Sequence, residues 1–185
     1  MSLTKQQQQQ LLTLARNSIE YGLQKGRPLK IVLADFPAEL AKPRATFVTL
    51  QKHQQLRGCI GMLKATRPLA EDITENAYAA AFNDRRFPPL QADELKELEI
   101  HLSILTPPEL IAFSTEQDLL AQLQPGIDGL ILEEGGQRGT FLPSVWASLP
   151  EPERFLRHLK QKAGLPANYW SETVRVYRYR TEAIP

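Results

Sequence analysis

The chain has 185 residues, a formal net charge of +1, 42% hydrophobic residues and 23% charged ones. That suits one soluble domain, or one domain with a minor lobe, and it supplies no global field to draw in nucleic acid or an anionic membrane. The single cysteine excludes an internal disulfide and a multi-cysteine zinc site. The N-terminus has no apolar signal core, and no apolar run approaches the ~20 residues that span a bilayer, so a cytoplasmic location is expected.

Taken in chain order, the first element is a helix over about Thr4 to Lys25. It opens on the glutamine run Gln6 to Gln10, continues with Leu12, Ala15, Ile19 and Leu23 at helical spacing, and stops at Gly26 and Pro28. Prolines at 28, 37 and 43 make residues 28–44 an extended connection. Thr46 to Leu50 is rich in β-formers and pairs with Leu56 to Leu63 as a hairpin through the polar loop Gln51 to Gln55. A second helix runs from about Pro68 to Asn83, with a small-residue face at Ala77, Ala79, Ala80 and Ala81.

Leu98, Ile100, Leu102 and Ile104 alternate with Glu99, His101 and Ser103, the signature of a half-buried strand. Thr115 to Leu123 reads as a short helix with Ser114 or Thr115 as N-cap. Gly129 to Glu133 and Arg138 to Leu142 flank Gly135-Gly136 as a second hairpin. Pro152 to Ala163 is a helix ending at Gly164, and Thr173 to Arg180 is a final strand. Strands mixed with helices and joined partly by hairpins predict an α+β fold with a mainly antiparallel sheet flanked by helices.

The candidate for chemistry is Leu56-Arg57-Gly58-Cys59-Ile60-Gly61. Strict strand alternation would put Arg57, Cys59 and Gly61 on one face. Arg57 would then favour the thiolate, the nucleophilic form, and Gly61 would leave space beside it. The bland alternative is equally physical: a lone cysteine packs as a small hydrophobe, and glycines let another backbone pass close. Asp84 opposes the dipole at a helix end, so it holds a neighbouring arginine or joins a polar site. His101 could serve as a base only if its strand face meets Cys59. The three histidines, His53, His101 and His158, show no metal-ligand spacing, and no metal is assigned. Arg175 to Arg180 mixes arginine and tyrosine, which nucleic-acid binding could use, but an amphipathic strand accounts for it.

Several segments together resemble the AMMECR domain family. They are the hexapeptide, Asp84 with Arg86-Phe87-Pro88-Pro89-Leu90, Ser103 to Thr106, Gly126 to Gly129, Phe141-Leu142-Pro143 and Arg178-Tyr179-Arg180. The resemblance implies a single domain over residues 1–185, with a larger lobe built from both chain ends, a smaller lobe inserted, and a cleft between them that holds the hexapeptide. It places Arg57, Gly58, Cys59 and Gly61 in that cleft, with Asp84 and Arg86 nearby, and it does not extend to His101. It also implies that prokaryotic relatives sit beside a Memo-like protein and a radical S-adenosylmethionine enzyme, the AmmeMemoRadiSam set. Family members are uncharacterised, and the resemblance names no cofactor. Two readings follow. In one, the chain is an enzyme or enzyme component with Cys59 as nucleophile or acceptor thiol and Arg57 tuning it. In the other, it is a non-catalytic protein- or peptide-binding adaptor. Nucleic-acid binding ranks below both.

Overall fold

The computed structural model describes residues 2–185. They form two compact units. The first runs to Leu105 and takes in Glu182–Pro185 from the far end of the chain, and the second is Thr106–Thr181.

The first unit opens with α1 (Lys5–Lys25). Thr4 caps it: its hydroxyl accepts from Gln7 N–H, and Gln7 Oε1 accepts from Thr4 N–H. Part of the glutamine run therefore serves the helix start. Gly26, at φ 65°, ends it in the left-handed conformation. The buried stripe is Leu11, Leu14, Ala15, Ser18, Ile19 and Gly22, while Leu12 and Leu23 are only half-buried. The inner face is thus rotated by about one residue from the spacing read in the sequence. Gly22 explains the rotation, because α2 (Leu69–Phe82) lays its Tyr78 and Phe82 rings there. A Cβ at Gly22 would stand 2.5 Å from the Phe82 ring.

The sheet of this unit has the order β2-β1-β3-β8, with β1 (Thr46–Lys52), β2 (Gln55–Gly61), β3 (Leu98–Leu105) and β8 (Thr181–Ile184). β1 pairs antiparallel with both β2 and β3. Val48, Leu50, Ile100, Leu102 and Ile104 are buried in one core cluster with Ile73, Ala77 and Ala80 of α2. The hairpin is tighter than the sequence suggested. Its strands continue to Lys52 and resume at Gln55, so His53 and Gln54 alone make the turn, at φ 50° and 63°. Beneath the start of β1, the buried Asp72 accepts from Thr46 Oγ1 (2.6 Å), Asn76 Nδ2 (2.9 Å) and the Arg67 guanidinium (2.7 Å), a fully paired network.

The second unit has a sheet of order β4-β7-β5-β6, antiparallel throughout. Its strands are β4 (Glu109–Leu110), β5 (Gly129–Glu134), β6 (Gln137–Phe141) and β7 (Arg175–Tyr179). Two helices, α3 (Glu116–Gln122) and α4 (Pro152–Lys162), accompany it. Trp146 and Phe155 stack at 3.7 Å in its core. The final strand read over Thr173 to Arg180 is in fact two strands, since β7 stops at Tyr179 and β8 belongs to the other sheet. Tyr179 is buried over Gly129, and Arg178 is bound to Asp128 (3.1 Å) and to the Gln122 carbonyl. Neither side chain is free in the way a nucleic-acid contact would need. The architecture is α+β, with two antiparallel sheets flanked by helices.

Candidate functional site

β2 is an outer strand, so one side of its main chain has no strand partner. Met62 N–H donates to Thr46 O at 3.1 Å and Ile60 stands opposite Val48. In an antiparallel ladder the residues that alternate with those positions turn their main-chain groups outward. Cys59 and Gly61 are therefore the residues whose N–H and C=O face the open edge.

The residues of the hexapeptide have separate tasks. A register shift between Leu50 and Gln51 makes Arg57 the extra residue of a β-bulge. The bulge breaks the two-residue alternation, so Arg57 and Cys59 do not share a face, contrary to the reading from strict alternation. Arg57 is almost buried and forms a two-pronged ion pair with Glu94, its Nε and Nη2 each 2.9 Å from a carboxylate oxygen. That bond, the Gln91 N–H and the charges of Arg57 and Lys52 outweigh burial and bring the Glu94 carboxyl down to about 2. Gly58 lies against α2, where a Cβ would stand 2.1 Å from Ala80 O. Ile60 packs onto the core. Gly61 does not leave an empty space. A Cβ there would meet the Phe47 ring at 2.4 Å and Thr46 O at 2.3 Å, so Phe47 fills the position.

Cys59 is left without a packing task. It is half-buried and free. Its Sγ and Thr49 Oγ1 are 3.2 Å apart, a hydrogen bond in which either group donates. Cys59 stands opposite Thr49, and Thr49 stands opposite His101, so the three form one row across β2, β1 and β3. His101 thus lies on the face of the thiol, one strand beyond Thr49. Its Nε2 is occluded and makes no hydrogen bond among the described residues, with Glu99 Oε2 at 3.9 Å. A cavity of about 470 Å³ beside α1 has Arg16, Leu98, Ile100 and His101 on its wall, and Cys59 is not among its lining residues.

The main chain of Cys59 is held from outside the sheet. Asp84 Oδ2 accepts from Cys59 N–H at 2.9 Å, and Arg86 Nη2 donates to Cys59 O at 3.2 Å. Asp84 and Arg86 also bind each other, with Nη2 to Oδ2 at 2.7 Å and Nε to Oδ1 at 3.0 Å. The Arg86 guanidinium holds the nearly buried Asp84 carboxyl well below the usual carboxylate range, assisted by the N–H groups of Cys59 and Arg86 and opposed by burial. The cation that touches Cys59 is therefore Arg86, not Arg57.

Sequence reasoning missed Thr49 and Glu94. The capping pattern Gln91-x-x-Glu94 was a legible signal for Glu94, which also accepts from Gln91 N–H at 2.9 Å. Nothing in the sequence marked Thr49. Among the described residues, no group of three or more His, Cys, Asp or Glu is placed to hold a metal, and no helix is long and apolar enough to cross a membrane.

The AMMECR1 family pattern matches residues 12–184. A protein of Methanothermobacter thermautotrophicus is 36% identical over 184 residues, covering 97% of this chain and 94% of the relative. Protein MJ0810 of Methanocaldococcus jannaschii is 40% identical over 157 residues, covering 83% and 78% respectively. The crystal structure of the uncharacterized protein PH0010 from Pyrococcus horikoshii aligns with a TM-score of 0.84 at 37% identity, over 94% of this chain and 88% of that one. With the match running from α1 through β8 and the same fold in a solved relative, the chain belongs to the AMMECR1 family.

Proposed function

We propose that the protein is a thiol-dependent enzyme or enzyme component that acts through Cys59, in a pathway with Memo-like and radical S-adenosylmethionine proteins. The observation that carries the reading is a subtraction. Arg57, Gly58, Ile60 and Gly61 each have an architectural task, whereas the free, half-buried thiol has none. An ion pair is nevertheless committed to fixing the main chain of that one residue. In this role Arg57 supports the bulge, and Asp84 with Arg86 positions the thiol. Thr49 is its immediate proton partner, and His101 is the nearest imidazole in its row. The test is complementation of a deletion strain by Cys59→Ala and Cys59→Ser, with native-state alkylation of the wild type. Loss of function in both folded variants, together with labelling of the native thiol, is the expected result. Full complementation by Cys59→Ala would refute it.

One observation favours the adaptor reading instead. Among the described residues, Thr49 is the only hydrogen-bond partner of the sulfur, so no acid or base touches it directly. The same face carries Leu56, 43% exposed, which suits a peptide or protein ligand. In that case Leu56→Glu would abolish capture of the neighbouring pathway proteins, and Cys59→Ala would leave capture intact.

A further inference from the structure

We propose that the Asp84–Arg86 pair is an edge guard: it occupies the two main-chain positions that a neighbouring strand would take on β2, and so keeps β2 from pairing with a second copy of this chain. The proposal does not depend on the chemistry of Cys59. An outer strand is a template for another strand, and the positions at risk are the outward-facing N–H and C=O groups. Cys59, near the middle of the outward-facing edge, has both groups covered, the N–H by the Asp84 carboxylate and the C=O by the Arg86 guanidinium. One acceptor and one donor at one residue are what an antiparallel neighbour would supply.

The segment that carries the guard cannot itself serve as a strand. Pro88 and Pro89 lack N–H groups, and the segment reaches β2 only through side chains, from Asp84 and Arg86 at Cys59 and from Glu94 at Arg57. Without the pair, the edge would present Leu56, Cys59 and Gly61. Leu56 and Met62 are already 43% and 40% exposed. Gly61 makes no main-chain hydrogen bond at that edge among the described residues. Two such edges can pair around a two-fold axis near Cys59, because an antiparallel strand pair is self-complementary.

Three measurements test the guard. In wild-type protein, amide hydrogen exchange at Cys59 should be about tenfold or more slower than at Gly61, the effect of a charge-assisted bond. Equal rates would overturn the proposal. In Asp84→Ala, the apparent mass by sedimentation should rise toward twice that of the monomer with concentration. A short bis-maleimide should then link two copies, and because the chain has one cysteine any linked dimer reports the β2 edge. Wild-type protein should stay monomeric and unlinked, and a wild type that links as readily would overturn the proposal. If Asp84→Ala does not fold by circular dichroism, Arg86→Gln decides, since its side chain is 57% exposed and its loss uncovers the carbonyl of Cys59. A folded variant that remains monomeric and unlinked refutes the guard.

Discussion

Replacing Glu94 by glutamine removes the counter-charge of Arg57 while keeping the shape of the side chain. Arg57 is 9% exposed, its Nε and Nη2 both depend on Glu94, and its Nη1 has no hydrogen-bond partner among the described residues. Breaking a buried pair from one side costs about 3–5 kcal/mol, and the remaining amide oxygen returns part of that, which leaves about 2–3 kcal/mol. Linkage supplies a second route to the same number. The Glu94 carboxyl lies at about 2 in the folded protein, against an ordinary 4.5. At about 1.4 kcal/mol per pKa unit, the difference contributes about 3 kcal/mol at neutral pH. The sign follows from the depression of the folded value. The contribution is complete above the unfolded value and is lost as pH falls toward the folded one. Urea unfolding of wild type and Glu94→Gln should therefore differ by about 2–3 kcal/mol at pH 7, with an unchanged m-value, and by about 2 kcal/mol less at pH 3. A difference that stays constant between pH 7 and pH 3, or one below about 0.5 kcal/mol at pH 7, would refute the assignment of Arg57 to Glu94.

Gly58→Ala drives a Cβ against the Ala80 carbonyl, which belongs to a helix backbone and cannot yield, so a loss of about 3 kcal/mol is expected in the same unfolding assay. His53→Asn with Gln54→Gly replaces two strained left-handed residues by the pair that this turn favours, and the thermal midpoint should rise by the equivalent of about 1–2 kcal/mol. Cys59→Ala should cost less than about 1 kcal/mol, because the thiol is half-buried and outside the core cluster, and a larger loss by urea unfolding would return Cys59 to a packing role.

The helices and strands were largely legible. Proline and glycine punctuation marked the helix ends at Gly26, Pro68 and Gly164, and two-residue alternation marked β3 from Leu98 to Ile104. These are local signals, since they report backbone conformation and the period of one buried face. The errors came where the deciding atom sits elsewhere in the chain. The α1 stripe turned by about one residue because Gly22 admits the rings of α2. The turn at His53-Gln54 carried no glycine to announce it. The strand over Thr173 to Arg180 ran into a second strand that joins the other sheet.

For the site, sequence alone determined that Cys59 is unique and that it lies on a strand, and it left Asp84 either holding a neighbouring arginine or joining a polar site. The segments that carry the family resemblance were also readable there. Only the tertiary structure decided which groups meet. The bulge at Arg57 shifts the face of every residue before it, and a bulge is set by the partner strand, not by the bulged one. It moved Arg57 from the thiol to Glu94, gave the Phe47 ring the place left by Gly61, and put Thr49 and His101 in line with Cys59. Pairing across strands depends on register, and register is a relation between distant segments that neither segment encodes by itself.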